Sequence, residues 1–471
     1  MTTMNSTTTH AIVIGGSIAG LMTARVLSQH FGRVTVVERD ALPQGGEYRN
    51  GAPQARHLHV LLARGQRIME QYFPGFEHDI YHTGAPIIQG GLNNLTLTAA
   101  GWIRRFDAGV TLSATGRASL EWLVRQRVQA LPNVEFITET DVEHLLASED
   151  GSVITGVQLK SRRNRKGDSF ALQGDFVVDA SGRRSNTPEW LTELGYAAPE
   201  TTIVNAHTGY ATRWYKLTPE TTPDVAMLAI QARPSEGLYR GGGYLVVEGN
   251  RLVVTLLGAN EDYPPTDEAG FMEFAKSLST PVLYDLIKTL TPEEPIYAYR
   301  GLQNQMRHYE KLARRPENFI VIGDAAVAFN PIYGQGMSSA AMEAELLDKL
   351  LKKNSIQNLR GFAAKFQKKQ VQLTKGAWLL STGEDMRFPL VEGQLPGMQE
   401  RIFHRYTDLM LSSMAYDTVV AHAFYQVLNL LATPMALMRP DIMLRVMWHS
   451  LRHRQPEAQP TPQLRQAAAN I

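Results

Sequence analysis

The chain has 471 residues, 44% of them hydrophobic, a formal net charge of +1 from 47 Lys+Arg against 46 Asp+Glu, and no cysteine. That length buries a large core divided among two or three domains, and the charge balance gives no field for a nucleic-acid or acidic partner. The missing thiols exclude disulfides, thiolate metal sites, Fe–S clusters and cysteine nucleophiles and allow a reducing compartment; the expectations are a small-molecule partner, no metal and a cytoplasmic location.

The start, MTTMNSTTTH, has no basic stretch followed by an apolar one, so no secretory signal is expected. The first strong pattern is Ala11–Asp40, on which the chain is organised. An apolar run, Ala11-Ile12-Val13-Ile14, reads as a buried parallel strand and meets Gly15, Gly16 and Gly20 before a helical pattern begins. Small residues let the backbone approach a pyrophosphate, and the helix N-terminus offers unpaired N–H groups and a positive dipole end. Gly15, Ser17, Ile18, Ala19 and Gly20 are the expected contacts, with Ser17 where the G-x-G-x-x-G pattern has its middle glycine. A second strand, Val34–Val37, ends at Glu38, placed to accept hydrogen bonds from an adenosine ribose, with Arg39 beside it.

The loop Ala41–Pro53 is dense in glycine and proline, and a helix is expected from about Gln54 to Tyr72. Arg49, Gln54, Arg56 and His57 are candidates to lie over the nucleotide; each can equally be a solvated arginine or a satisfied histidine. Residues 80–112 read as short strands forming part of a substrate roof. Arg117–Leu131 is expected to be helical, and Arg117 at its start is favoured over Arg125 as a phosphate ligand. Val134–Thr138, Val142–Ala147, Val153–Lys160 and Phe170–Leu172 read as one meander with a charged tip at Ser161–Asp168. Asp175–Ser185, DFVVDASGRRS, is a second strand running into a nucleotide-facing turn, with Asp179 as its candidate ligand.

From Asn205 to Ile296 the pattern changes to an antiparallel sheet: Thr208–Tyr215, Val225–Gln231, Gly243–Val247 and Leu252–Leu257. Tyr210, Arg213, Tyr215 and Tyr244 are candidates for its inward face, of which Tyr210, Arg213 and Tyr244 are the expected substrate-pocket residues. The alternative is an ordinary sheet packed on a helix. Phe271–Leu290 is expected to be helical and to cover the sheet. A third nucleotide-facing stretch follows: Phe319–Ile322 delivers Gly323 and Asp324, whose carboxylate suits a ribityl or ribose hydroxyl. Pro331, Gly334, Gln335, Gly336 and Met337 then open a long helix whose amides suit the electron-rich edge of a flavin ring. Asn358–His453 reads as helical. Val419–Met438 approaches membrane length but carries His422, Gln426, Asn429 and Pro434, so a buried helix is expected. Asp441–Arg454 is amphipathic: it caps a core or an apolar tunnel, or lies on a membrane surface. The tail from Gln455 is expected to be disordered.

Three motifs, GGSIAG with Glu38, DASGRRS, and GDAAVAFNPIYGQGMSSA, occur in the order that resembles the FAD-dependent monooxygenases of the para-hydroxybenzoate hydroxylase fold, over most of residues 10–350. PQARHLHVLL and GDAAVAFNPIYGQGMSSA are most similar to bacterial epoxidases of polyether polyketide precursors. The resemblance implies an α/β fold: a discontinuous Rossmann-like FAD-binding domain (residues 1–80, 113–204 and 300–355), a β-sheet substrate domain (81–112 and 205–299) and a C-terminal helical region (356–454). It implies FAD, reduced by NADH or NADPH, and transfer of one oxygen atom from O₂ through a flavin C4a-hydroperoxide to a small hydrophobic substrate. FAD pyrophosphate falls near Gly15, Ser17 and Gly20, the ribose on Glu38, Arg117 near the cofactor, Asp324 in the second FAD motif, and Gly334, Gly336 and Met337 at the isoalloxazine.

Two positions depart from the pattern. Asp179-Ala180-Ser181-Gly182 replaces the family's aspartate–glycine motif, which bears on NADPH handling, and Val327 stands where many relatives carry histidine. No acid–base pair is visible in the sequence, which tilts the expected reaction to epoxidation of an alkene in a polyketide or terpenoid, since ring hydroxylation of a phenol gains from a base. No two of the 6 tryptophans are spaced W-x-W, which argues against a halogenase. Aromatic hydroxylation, reduction of isoprenoid double bonds, and a non-catalytic FAD-binding partner are the other readings.

Overall fold

In the computed structural model, which describes residues 9–163, 169–452 and Leu464, five strands form a parallel sheet in the order Phe319–Val321, Phe176–Asp179, His10–Ile14, Arg33–Val37, Val134–Ile137. The central runs are apolar and β-branched because both faces are covered. One face packs on the helices Ile18–Leu27, Arg117–Gln129 and Gly336–Leu351 and on the first turns of the long helix Phe362–Asp385; the other packs on an antiparallel meander, Thr140–Ala147, Ile154–Ser161 and Ser169–Gln173, and on the later turns of that long helix. The strand around Val134 is thus not part of the meander, as the sequence suggested, but the parallel edge of the main sheet. The charged hairpin tip lies partly outside the described residues, as does nearly all of the tail from Gln455.

The second large sheet has the order Thr291–Pro292, Gly209–Lys216, Arg251–Gly258, Arg240–Val247, Met227–Ile230, Asn94–Thr98, Gly101–Trp102. It is antiparallel except where Met227–Ile230 runs parallel to Asn94–Thr98. Tyr215, Tyr244 and Val254 point to one face, against Phe271, Phe274 and Leu283 of the helices Glu268–Lys276 and Val282–Ile287. These two helices, rather than one over Phe271–Leu290, cover the face away from the cavity. The segment after Pro53 also differs from expectation: one 3-10 turn, Pro53–Arg56, then extended chain, with the helix confined to Ala63–Tyr72.

Beyond residue 355 the chain is helical: Phe362–Asp385, Met398–Ser413, Thr418–Leu428 and Pro440–Arg452. The helix expected over Val419–Met438 stops at Leu428, where Asn429 and Leu430 leave helical geometry and a 3-10 turn, Pro434–Met438, follows. No helix among the described residues is long and apolar enough to cross a membrane.

Candidate active site

The strand His10–Ile14 sits where chain order reverses across the parallel sheet, so the crevice at its carboxyl end is the topological switch point at which such sheets bind ligands. A cavity of ≈ 760 Å³ starts there and continues under the second sheet. Gly15, with φ +103°, would place a Cβ 2.6 Å from the Ala180 carbonyl oxygen, so only glycine lets the first and second turns approach. Gly15 and Gly334, 319 positions apart in sequence, line this same cavity.

At its nucleotide end the walls are ionic. Ser17 Oγ donates to Glu121 Oε2 at 2.7 Å and accepts from Arg117 Nη2 at 2.8 Å. Arg49 Nε reaches Glu121 Oε1 at 2.8 Å, and its Nη1 reaches Asp40 Oδ2 at 2.9 Å. Burial opposes ionisation of Glu121, but the Arg117 and Arg49 guanidiniums overcome it and hold the carboxyl at about 2. Arg117 Nη1 is buried without a partner among the described residues. Glu38 accepts from the Gly16 amide at 2.7 Å and the Asp40 amide at 3.0 Å, which fixes its carboxylate on the cavity wall.

Further along, Asp324 lines the cavity with a carboxylate that accepts no hydrogen bond from the described residues. Burial raises its pKa, against the nearby Arg183, Arg117 and Arg307 charges. Pro331, Gly334, Gln335, Gly336 and Met337 follow on the same wall, Gly334 at φ +68°, and Gln335 Oε1 is buried without a partner. These features fit the flavin dinucleotide that the motifs imply. An orphaned guanidinium nitrogen suits a pyrophosphate, an unpartnered carboxylate suits ribityl or ribose hydroxyls, and the N-terminus of Gly336–Leu351 presents amides to a ring edge.

Gly15, Ser17, Ile18, Ala19, Glu38, Arg39 and Arg117 all line the cavity, as do Arg49 and Gln54. Six expected residues lie elsewhere. Gly20 packs helix on strand, since a Cβ there would lie 1.8 Å from the Gly15 carbonyl oxygen. Arg56 is held with its guanidinium 4.4 Å from the ring centroids of both Tyr48 and Tyr297. Asp179 is fully buried behind its turn, accepting from the Ser181 amide, Ser185 and Thr187, and so shapes the turn rather than facing the cavity. Gly323 is buried, its amide donating to Glu343 at 2.8 Å. Arg213 points away to Glu268, and Tyr244 to the Val225 carbonyl at 3.1 Å. His57 is also turned inward, onto Thr212 at 2.7 Å, whereas His59 lines the cavity. Burial and the Arg117 charge lower His59 to about 4.

Of the sheet candidates Tyr210 alone lines the cavity, and its hydroxyl is buried without a partner. Beside it is a group that no motif marked. Asp385, in the last turn of Phe362–Asp385, is fully buried; its Oδ1 accepts from Tyr333 at 2.8 Å, and its Oδ2 from Asn304 at 2.7 Å and Asn330 at 3.0 Å. Burial, with help from the Glu384 carboxylate, pushes Asp385 up to about 7 despite those donors, and raises both Tyr210 and Tyr333. The far end of the cavity is apolar, walled by Ile88, Val110 and Leu112 and by Phe403, Met410 and Phe424 of the C-terminal helices.

Comparison with known proteins agrees with this architecture. The pattern of a family described as "FAD binding domain" matches residues 8–355. "Protein Rv3254" of Mycobacterium tuberculosis (strain ATCC 25618 / H37Rv) is 31% identical over 459 residues, 94% of each chain. Kynurenine 3-monooxygenase of Salinispora tropica is 25% identical over 366 residues, 74% of each chain. Among solved structures, the flavin-dependent brominase Bmp2 superposes with a TM-score of 0.66 at 14% identity, over 94% of this chain and all of that one, a likeness of fold.

Proposed function

Because the chain belongs to the FAD binding domain family, we propose that it is an FAD-dependent monooxygenase that uses NADH or NADPH and O₂ to insert one oxygen atom into a small hydrophobic substrate. The observation that carries this reading is the continuity of one cavity from the ionic nucleotide end to the apolar chamber. A 25% identical relative named kynurenine 3-monooxygenase supports the reaction class.

The chemistry FAD supplies when bound is reductive activation of O₂. The chain's own residues bind, orient and exclude water. Arg117 and Ser17, with the amides of the Ile18–Leu27 N-terminus, hold the pyrophosphate; Glu38 takes the adenosine ribose, Asp324 the ribityl chain, and Gly334–Met337 the ring. Phe403, Met410 and Phe424 would exclude water from the chamber in which FAD's oxygen chemistry takes place.

Within that class, hydroxylation of an electron-rich ring or enol that carries a hydroxyl is the finer reading favoured here. Its support is the Asp385–Tyr333 pair: with Asp385 ionised, the form that dominates above about pH 7, a substrate hydroxyl gives its proton to Tyr333 Oη while the tyrosine proton passes to Asp385 Oδ1. The alkene epoxidation expected from the sequence rested on the lack of a base; the apolar chamber is what now supports it as the second reading. FAD-loaded protein, given NADH or NADPH with apolar phenols and polyenes in turn, is expected to consume one O₂ per reductant and to place labelled oxygen in the phenol product. Label in an epoxide with phenols inert would select the second reading. Failure to bind FAD would overturn both.

A further inference from the structure

The C-terminal helix Met398–Ser413, which walls the chamber, and the helix Pro440–Arg452 packed behind it are apolar on the outside as well. On Pro440–Arg452, Leu444, Met447, Trp448 and Leu451 recur three and four positions apart, so they share one face, and they are 67%, 55%, 60% and 71% exposed. The opposite face, Ile442 and Val446, is buried with Met410, Met414 and Val420. The neighbouring helix Met398–Ser413 repeats the arrangement. Phe403, Met410 and Leu411 line the cavity, while Met398, Ile402 and Leu409 are exposed. Ser413 Oγ lies 3.5 Å from the Val446 carbonyl oxygen, so the two helices run side by side. Exposed apolar arrays of this kind mark interaction surfaces.

The charges around them decide the occupant. The acids are already neutralised or committed: Asp408 pairs with Arg387, Asp441 with Arg439, Asp417 with Arg445, and Glu400 accepts the Gly397 amide. Arg401 and Arg405 recur on the exposed arc of Met398–Ser413, and Arg452 stands over the Trp448 ring at 5.9 Å. None of these three arginines has an ion pair among the described residues. A second copy of the chain would set arginine against arginine, whereas anionic headgroups meet them with opposite charge. At 13 residues, Pro440–Arg452 is too short to span and suits the plane of an interface, with Trp448 at headgroup level.

We propose that the joined outer faces of Met398–Ser413 and Pro440–Arg452 dock on an anionic lipid bilayer. The substrate chamber is then one helix thickness from the membrane, on the side where a lipid-soluble substrate would arrive. The docking face stands whether or not the oxygenase reading holds, because none of its residues touches the nucleotide end.

The test is sedimentation of the full chain, loaded with FAD, with phosphatidylcholine vesicles that contain or lack phosphatidylglycerol. The wild type is expected to pellet with phosphatidylglycerol vesicles, to release as salt rises, and to bind pure phosphatidylcholine more weakly. Leu444→Ser with Trp448→Ser is expected to weaken binding by about tenfold or more. Arg401→Gln with Arg405→Gln is expected to erase the preference for phosphatidylglycerol. FAD content and melting temperature equal to wild type show that the variants fold. Wild type that stays in the supernatant with both vesicles overturns the proposal, and so does binding that ignores the substitutions. A concentration-dependent dimer that the Leu444→Ser, Trp448→Ser protein loses, without vesicle binding, assigns the face to a second copy instead.

Discussion

Replacing Asp385 by asparagine should change how stability depends on pH. Below pH 3.8 the carboxyl is protonated in folded and unfolded chains alike, and its contribution is complete. Between 3.8 and about 7 the unfolded chain ionises while the buried group keeps its proton, so unfolding releases a proton and stability falls as pH rises. Above about 7 both forms are ionised and the loss is constant. A rise from 3.8 to about 7 corresponds to about 4 kcal/mol, an upper figure because a site that ionises relaxes and admits water. Asparagine keeps the shape and presents its amide to Tyr333 Oη as the protonated acid would, while its oxygen still accepts from Asn304 and Asn330. Asp385→Asn is therefore expected to gain on wild type by several kcal/mol between pH 4.5 and pH 8. Thermal unfolding of both proteins across that range reads the difference directly, since Glu343 and Glu384, also raised by burial, are common to both. A difference that stays constant with pH would refute the assignment of a protonated Asp385.

Arg117→Met removes the guanidinium with an unpartnered nitrogen. Loss of charge-assisted hydrogen bonds should weaken FAD retention by about ten- to a hundredfold, read as flavin lost on dialysis. Glu121 stays paired with Arg49 and Arg125, so unchanged retention would count against the pyrophosphate role. Gly15→Ala meets backbone at 2.6 Å and φ +103°, whereas Gly182→Ala, at φ +89°, meets nothing within 4 Å. The second should cost about 1 kcal/mol for its backbone conformation alone, and the first should lower the melting temperature much further; equal effects would show that the Gly15–Ala180 approach is not required.

The nucleotide end was legible in the sequence because its requirements are local. A tight turn, a helix start and a carboxylate at a strand end leave a pattern within thirty residues, and Ser17, Glu38, Asp324 and Gly334 all reach one cavity. The errors there came from treating a motif as a contact list: Gly20 and Asp179 hold the shape of the turns from behind. On the second sheet the period of two was present but unused. Tyr210 and Arg213 are three residues apart and must face opposite sides, and Tyr244 shares the face of Tyr215. Asp385 left no signal, since its partners Tyr333, Asn330 and Asn304 lie 52, 55 and 81 positions away.

That division has a physical consequence for substrate choice. The ionic end must satisfy a fixed ligand, so its residues are dictated by the ligand's phosphates and hydroxyls and fall within the stretch matched by the family, residues 8–355. Of the chamber's wall, Phe403, Met410, Phe424 and the titratable Asp385 lie beyond that stretch, while Ile88, Val110, Leu112, Tyr210 and Tyr333 lie within it. Apolar packing accepts many shapes at similar energy, so the family's shared domain constrains the cofactor more tightly than it constrains what the cofactor acts on. Relatives alike at the nucleotide end can therefore oxidise different molecules, and the substrate of this chain has to be read from its C-terminal helices together with the wall formed by Ile88, Val110, Leu112 and Tyr210.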